Sequence, residues 1–267
     1  MIQPLTKEQL YKKVPSVFAT QPSETRSERY GFIPTIKIIE TLEKEGFLPF
    51  SAIQAGTRNA EKMFFTKHII RFRYKNDYEK KKWEEVPEIV MVNSHDGTST
   101  YNMMAGIFRI VCTNGLIAGN FTNEIRIKHN GENLSGEIIN SAYEISKSFP
   151  EIMSKIDTMK SISLTEDDKL SFAEAAMVIK YDEKPPIKPA DLLIPRRIGD
   201  SKNDLWTNFN IIQENLIKGG QKGYTAETLR RTKTRPVKSI EADIKLNKAL
   251  WILTERMASI KNNAIAA

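Results

Sequence analysis

The side chains best suited to chemistry stand together in the segment Asn93-Ser94-His95-Asp96-Gly97. A hydroxyl, an imidazole and a carboxylate are the groups of a catalytic triad, but triad members normally converge from separate elements of a fold. Asp-Gly is also a strong turn signal between strands, and Asn and Asp side chains there hydrogen-bond to the backbone. We therefore interpret Asn93, Ser94, His95 and Asp96 first as a polar turn, with a phosphate or substrate contact as the alternative.

Other common catalytic centres lack their motifs. The three histidines and the single cysteine form no CxxC or HExxH pattern and no pair at helical i, i+4 spacing. The glycine-rich stretch 219–223 follows an apolar helical stripe, whereas a phosphate-binding P-loop follows a strand, so it is interpreted as a helix end. We therefore expect no metal, no cofactor and no enzymatic activity, which leaves a binding function.

Positive charge is concentrated in two places, although the net charge of the whole chain is only +7. Residues 218–238 hold seven basic side chains and one acid, and residues 66–82 hold seven basic side chains and two acids. Such density favours contact with phosphates. The predicted nucleic-acid-binding residues are Arg71, Arg73, Lys75, Lys80, Lys81, Lys82, Lys222, Arg230, Arg231, Lys233 and Arg235.

The first basic stretch coincides with an alternating segment, HIIRFRYK, over residues 68–75. Arg71 and Arg73 fall on one face of the predicted strand, and Phe72 and Tyr74 fall on the other. Arginines neutralise phosphates and aromatic rings stack on bases, which suits a single-stranded nucleic acid. The alternative is an ordinary solvated strand face, with the aromatic residues in the core.

The elements that position these residues are a helix, a group of strands, and then further helices. Helical spacing begins at Pro34, strands are predicted near residues 47–58, 68–75, 86–92 and 124–128, and the segment 101–116 is ambiguous. Apolar helical stripes follow, interrupted at Pro150, and a last helix starts near Ile240. This order predicts an α+β fold, with an antiparallel sheet of about three to five strands and a helical C-terminal half.

Composition along the chain divides it into three regions. Residues 1–30 are polar and contain three prolines, and we interpret them as a flexible arm. Residues 31–182 are predicted to be the α+β core domain. A proline-rich linker then leads into a basic helical region over residues 183–267.

The cellular location is predicted from what the sequence lacks. Cys112 is the sole cysteine, so no internal disulfide can form, which fits a reducing compartment. The first residues have no apolar core typical of a signal peptide, and no apolar run reaches membrane-spanning length. The expected location is the cytoplasm, in a bacterial host cell, without membrane contact.

Three stretches of the sequence resemble a known family. NSHDGTSTYNMMAGIFRIVCTNGLIAG at 93–119, and LWTNFNIIQENLIKGG at 205–220 with TRPVKSIEADIKLNKALWILTE at 234–255, are similar to the nine-three-two family of domains of unknown function. The resemblance covers residues from about 30 to 255. Members of that family belong to phages, prophages and plasmids. The resemblance therefore implies a role in mobile-element biology, but it assigns no catalytic residues.

The order of elements is also similar to the core of single-strand annealing recombinases of the RecT, Erf and Rad type. That resemblance implies binding of single-stranded DNA in a basic groove of an oligomeric ring or filament. It leads to the hypothesis of a phage- or plasmid-type protein that binds single-stranded nucleic acid, preferably DNA, anneals it in recombination, and forms a homo-oligomer. The alternatives are a protein that inhibits a host defence or regulatory complex, and an enzyme built on Asn93, His95 and Asp96.

Overall fold

A computed structural model of the chain describes residues 3–24, 32–76, 84–109, 114–118, 124–127, 133–182, 184–225 and 227–266. The chain forms two compact units. The first comprises Met1–Ile117 with Phe121–Phe149, and the second comprises Ala118–Asn120 with Pro150–Ala267. The division thus falls at Pro150 instead of the predicted 182/183, because the helices on both sides of residue 183 pack against one another.

The first unit is built on an antiparallel sheet of six strands, in the order β1-β2-β3-β4-β5 with β6 also paired to β4. The strands are β1 (Phe47–Gln54), β2 (His68–Tyr74), β3 (Glu85–Asn93), β4 (Tyr101–Arg109), β5 (Asn114–Ile117) and β6 (Glu124–Ile127). The helices described in this unit are α1 (Lys7–Lys13), α2 (Thr35–Lys44) and α3 (Leu134–Lys147), with short 3-10 helices at Pro15–Phe18 and Ala60–Phe64. The sheet is larger than predicted because the ambiguous segment 101–116 supplies two strands.

Helices α2 and α3 cover one face of this sheet. Ile70 and Phe72 of β2 share that face with their cross-strand partners in β3, and both are fully buried. Phe47 of β1 meets Tyr143 of α3 edge-on, with ring centroids 5.5 Å apart. The helices contribute their own buried apolar stripes, namely Ile38, Ile39 and Leu42 from α2 and Ile138, Ala142 and Ile145 from α3. Each isoleucine or leucine among them contributes roughly 1.5–3 kcal/mol when it leaves water.

The predicted flexible arm is wrong for residues 7–18, which are folded onto the first unit. A capping box starts α1, since Thr6 accepts a hydrogen bond from the Gln9 backbone and Gln9 accepts one from the Thr6 backbone. Leu10, Val14 and Val17 are almost completely buried. These three apolar side chains and the hydrogen bond from the Ser16 backbone to the Gln54 side chain, at 2.9 Å, hold the segment in place.

The second unit consists mainly of helices. They are α4 (Phe149–Ser161), α5 (Glu166–Tyr181), α6 (Pro189–Leu192), α7 (Leu205–Lys218) and α8 (Ile240–Ala266), with two short strands, β7 (Lys222–Tyr224) and β8 (Arg231–Lys233). The predicted interruption at Pro150 is confirmed, since α3 ends at Lys147 and Pro150 lies in the first turn of α4, where its missing N–H is tolerated. The α+β fold with a helical C-terminal half is thus confirmed.

Helix α7 is the centre of the second unit. Its residues are buried without interruption from Leu205 to Leu216. Trp206 stacks on Phe209 at 5.3 Å, and both meet Trp251 of α8 edge-on. Its buried amides are bonded too: the Asn215 side chain donates to the carbonyl oxygens of residues 192 and 194, each at 2.9 Å. These directional bonds fix the rotation of α7 and so fix the direction in which the chain leaves it.

No helix within the described ranges is both long and apolar enough to cross a membrane.

Candidate nucleic-acid interface

The densest basic stretch of the sequence folds into a two-stranded antiparallel ribbon. Strands β7 and β8 pair Lys222 with Lys233, Gly223 with Thr232 and Tyr224 with Arg231. Cross-strand partners and residues two apart share a face. One face, called the ribbon face below, therefore carries Lys222, Tyr224, Arg231 and Lys233. All four are exposed, and they border an open groove of about 580 Å³.

The opposite side of the ribbon lies on the proline-rich segment before α6. The Tyr224 backbone N–H donates to the carbonyl oxygen of Pro186 at 2.8 Å. A Cβ placed on Gly223 would lie 1.9 Å from that same oxygen, so the contact is possible only because residue 223 has no side chain. Because this side of the ribbon contacts the backbone at Pro186, the ribbon face points away from the proline-rich segment.

The base of the ribbon is closed by hydrogen bonds between its two ends. Gly219 ends α7 with φ +61°, and Gly220 donates to the Thr234 carbonyl at 2.8 Å. Thr234 in turn donates its backbone N–H to the Gln221 carbonyl at 2.9 Å. The Gln221 side chain donates to Asn215 of α7 at 2.8 Å, which ties the ribbon to the central helix.

Lys180 of α5 also contacts the closed end of the ribbon, where the chain enters from α7 and leaves after β8. Its ammonium group donates to the carbonyl oxygen of Leu216 and, at 3.0 Å, to that of Arg235. Burial lowers the pKa of Lys180 to about 8, because removal from water disfavours the charged form. The ammonium therefore joins the last turn of α7 to the segment that leaves the ribbon.

The charge on the ribbon face is open to a partner. Glu227, the one acid of the basic stretch, forms an ion pair with Lys184 at 3.3 Å. Among the residues that the structure describes, none of Lys222, Arg231 and Lys233 forms an ion pair. Arg230 and Arg235 are exposed as well. Three cations around an exposed tyrosine suit a ligand that has both negative charge and flat rings.

The basic face predicted on β2 is wrong for Arg71 and Arg73. Both side chains lie in the interior, 7% and 3% exposed, and both donate to the fully buried carboxylate of Glu88, at 3.1 and 2.9 Å. The Arg73 guanidinium also lies over the rings of Phe50 and Phe108, at 4.4 and 3.7 Å. Alternation identified the correct faces of β2, but the sheet buries both of them.

Arg71 has a structural task in this interior. It donates to the carbonyl oxygens of Gly115 and Leu116, both at 3.2 Å, and thereby fixes strand β5. A Cβ on Gly115 would lie 2.6 Å from the guanidinium carbon, so the absence of a side chain at Gly115 makes room for Arg71.

Lys75, which directly follows β2, is exposed as expected. Lys80, Lys81 and Lys82 lie outside the described residues, as does Cys112.

The polar segment 93–96 divides between a surface turn and the interior. Asp96 accepts hydrogen bonds from the backbone and hydroxyl of Thr98, at 2.9 and 2.6 Å. Partial burial raises the pKa of Asp96, but these bonds outweigh burial, so the pKa lies below its ordinary value. The Ser94 hydroxyl accepts from the Ser99 backbone at 2.9 Å. Ser94 and Asp96 therefore support the polar turn that the sequence indicates.

Asn93 and His95 point inward and join a buried polar cluster around the first residue of α2. The Thr35 hydroxyl is 3.1 Å from each of His68 Nε2, His95 Nε2 and Asn93 Nδ2. The Ser16 hydroxyl lies 2.9 Å from His68 Nδ1. All five side chains are buried, so they reach no substrate at the surface of this conformation. No group of three His, Cys, Asp or Glu that could hold a metal occurs among the described residues.

Comparison with known proteins supplies the family. Residues 22–251 match the family described as a domain of unknown function, DUF932. The chain belongs to the DUF932 family. It is 44% identical to the UPF0380 protein YfjQ of Escherichia coli (strain K12) and 43% identical to the UPF0380 protein YafZ of the same strain. Each comparison covers 96% of this chain and 92% of the relative. No solved structure matches the chain.

Family membership confirms the resemblance that the three sequence stretches indicate. The likeness to single-strand annealing recombinases stays a prediction.

The ribbon of this DUF932 chain was not predicted from the sequence, because three-residue strands are too short to give a periodic signal. The pattern that could have revealed the ribbon face is the spacing of two residues between Lys222 and Tyr224 and between Arg231 and Lys233. No such pattern points to the buried polar cluster, since Ser16, Thr35 and His68 are distant in sequence.

The buried cluster of this DUF932 chain predicts loss of stability in mild acid. Burial lowers the pKa of His68 from 6.5 to about 4, so the folded state holds the neutral ring while the unfolded chain is protonated below about 6.5. The free energy of unfolding should therefore fall by up to about 3 kcal/mol as the pH decreases from 6.5 to 4.

Urea unfolding at several pH values measures this effect, with His68→Gln as the control because glutamine does not titrate. The difference in stability between the wild type and His68→Gln should shrink steadily over that interval. A difference that is constant with pH would contradict the assignment of the acid sensitivity to His68.

Proposed function

We propose that this protein binds single-stranded nucleic acid, DNA in particular, through the ribbon face, and that it anneals complementary strands. The observation that carries the proposal is the grouping of Lys222, Arg231 and Lys233 around Tyr224 on one exposed face. Cations neutralise backbone phosphates, and an exposed aromatic ring stacks on an unpaired base. A duplex hides the faces of its bases, so the tyrosine favours a single strand.

Annealing fits this arrangement because it needs no reactive centre. A strand held by its phosphates, with bases free to pair, has lost much of the repulsion that keeps two strands apart. The recombination role in a phage or plasmid, the cytoplasm as location and the homo-oligomer belong to the same proposal. The family resemblance and the order of elements support them.

Titration of a labelled single-stranded oligonucleotide at low and moderate salt tests the binding step. The logarithm of the association constant should fall linearly with the logarithm of salt concentration, by about 0.7 for each phosphate contact. Tyr224→Ala should weaken single-strand binding by about 5-fold to 100-fold, the range expected for one stacked base. It should leave the salt slope unchanged. Absence of binding at low salt would end the proposal.

Annealing itself is measured by fluorescence transfer between complementary labelled strands, with and without protein. The protein should accelerate pairing, and particle size should increase when single-stranded oligonucleotide is added. Stable capture of a host protein complex, with no affinity for free DNA, would instead favour the inhibitor alternative.

A further inference from the structure

The tip of the ribbon carries an apolar side chain where a solvated loop would need none. Leu229 is 75% exposed and adopts φ +49°, the left-handed region that favours glycine. Hydrogen bonds fix it there, since the Leu229 backbone donates to the Thr225 carbonyl at 3.0 Å. The next residue donates to the Thr225 hydroxyl at 3.1 Å. A leucine in this conformation costs roughly 1–2 kcal/mol, with no burial of its side chain in return.

The surroundings of Leu229 indicate what the side chain meets. Arg230 and Arg231 follow it directly, both exposed, and the ribbon face begins at Arg231. A strand whose phosphates lie along these cations brings its bases, the apolar part of the ligand, within reach of the tip. Proteins that kink duplex DNA commonly insert a leucine or another apolar residue between adjacent base steps and unstack them. The stacked bases of a single strand offer the same apolar contact.

We propose that Leu229 is a wedge that inserts between neighbouring bases of the strand held on the ribbon face. This inference rests on the proposed function, and it adds a mechanical role to the ribbon: bases are pulled out of their stack. Unstacked bases are the form in which a strand can exchange or find a pairing partner. The tip would thus prepare the strand that the cations hold.

A single-stranded oligonucleotide with an internal 2-aminopurine between adenines tests the wedge, because its fluorescence rises when the base is unstacked. Saturation with the wild-type protein should raise the signal. Leu229→Gly removes the side chain and relieves the left-handed backbone, so the variant should be at least as stable as the wild type. It should keep the salt slope, bind less than about tenfold more weakly, and lose most of the fluorescence rise.

Ile198→Ala serves as the matched control, because Ile198 is an apolar side chain outside the ribbon that is 98% exposed. It should change neither binding nor fluorescence. If Leu229→Gly binds and keeps the full fluorescence rise, the wedge is wrong and the binding proposal stands. If the wild type does not bind the oligonucleotide at low salt, the proposed function fails and the wedge fails with it.

Discussion

Replacement of Glu88 by glutamine should destabilise the protein by about 3–5 kcal/mol. Glu88 is fully buried and accepts hydrogen bonds from both Arg71 and Arg73. Glutamine keeps the size of the side chain but removes its charge, so two buried guanidinium groups lose a carboxylate that accepts their hydrogen bonds. Removal of one charge from a buried ion pair is one of the few causes of so large an effect in a single substitution.

Urea denaturation measures this loss, and Glu40→Gln provides the comparison. Glu40 forms an ion pair with Lys7 at 2.6 Å, with side chains 41% and 60% exposed, so its replacement should cost less than about 1 kcal/mol. Equal, small effects of the two substitutions would show that the buried cluster does not hold the sheet together. Because the cluster is internal, Arg71→Met should likewise lower the free energy of unfolding and leave the proposed binding to single-stranded DNA unchanged.

Removal of three charges from the ribbon face should abolish most of the binding to single-stranded DNA. The variant is the triple replacement of Lys222, Arg231 and Lys233 by alanine. Three phosphate contacts account for about 2 units of salt slope, and hence for about 100-fold in affinity at a salt concentration of about 0.1 M. Oligonucleotide titration at several salt concentrations gives both quantities.

A second triple variant separates local contact from overall charge. Lys37, Lys202 and Lys245 are exposed lysines outside the ribbon, and their replacement by alanine changes the net charge by the same amount. This control should bind within a few-fold of the wild type with an unchanged salt slope. Equal losses in the two triple variants would mean that binding follows net charge, and the ribbon face would lose its special role.

Much of the fold could be predicted because its elements follow local rules. The alternating segment predicted over residues 68–75 forms β2 up to Tyr74, and the helical stripes interrupted at Pro150 form two separate helices. The burial of Arg71 and Arg73 could not be predicted. Alternation places two residues on the same face of a strand, but it does not say whether solvent or a buried carboxylate faces them. The partner, Glu88, is fifteen or more residues away in sequence.

For the candidate site, charge density alone singled out the basic residues Lys222, Arg230, Arg231, Lys233 and Arg235, and all five are exposed. Their binding to nucleic acid stays a prediction, and Tyr224 was not among the predicted residues. What composition could not give is the arrangement. The ribbon depends on a glycine at 223 that lets two backbones meet, and on Thr234 and Gln221 closing the base. Such contacts link positions whose side chains carry no periodic pattern.

The closed base of the ribbon has a thermodynamic consequence. A basic tail that folds only when it binds must lose conformational entropy at that moment, and its affinity is reduced accordingly. Here the Gln221–Thr234 bonds and the contact with Pro186 have already ordered the backbone before any ligand arrives. The ribbon is therefore preorganised, and under the proposed function its cations would act together from the first encounter without that loss of entropy.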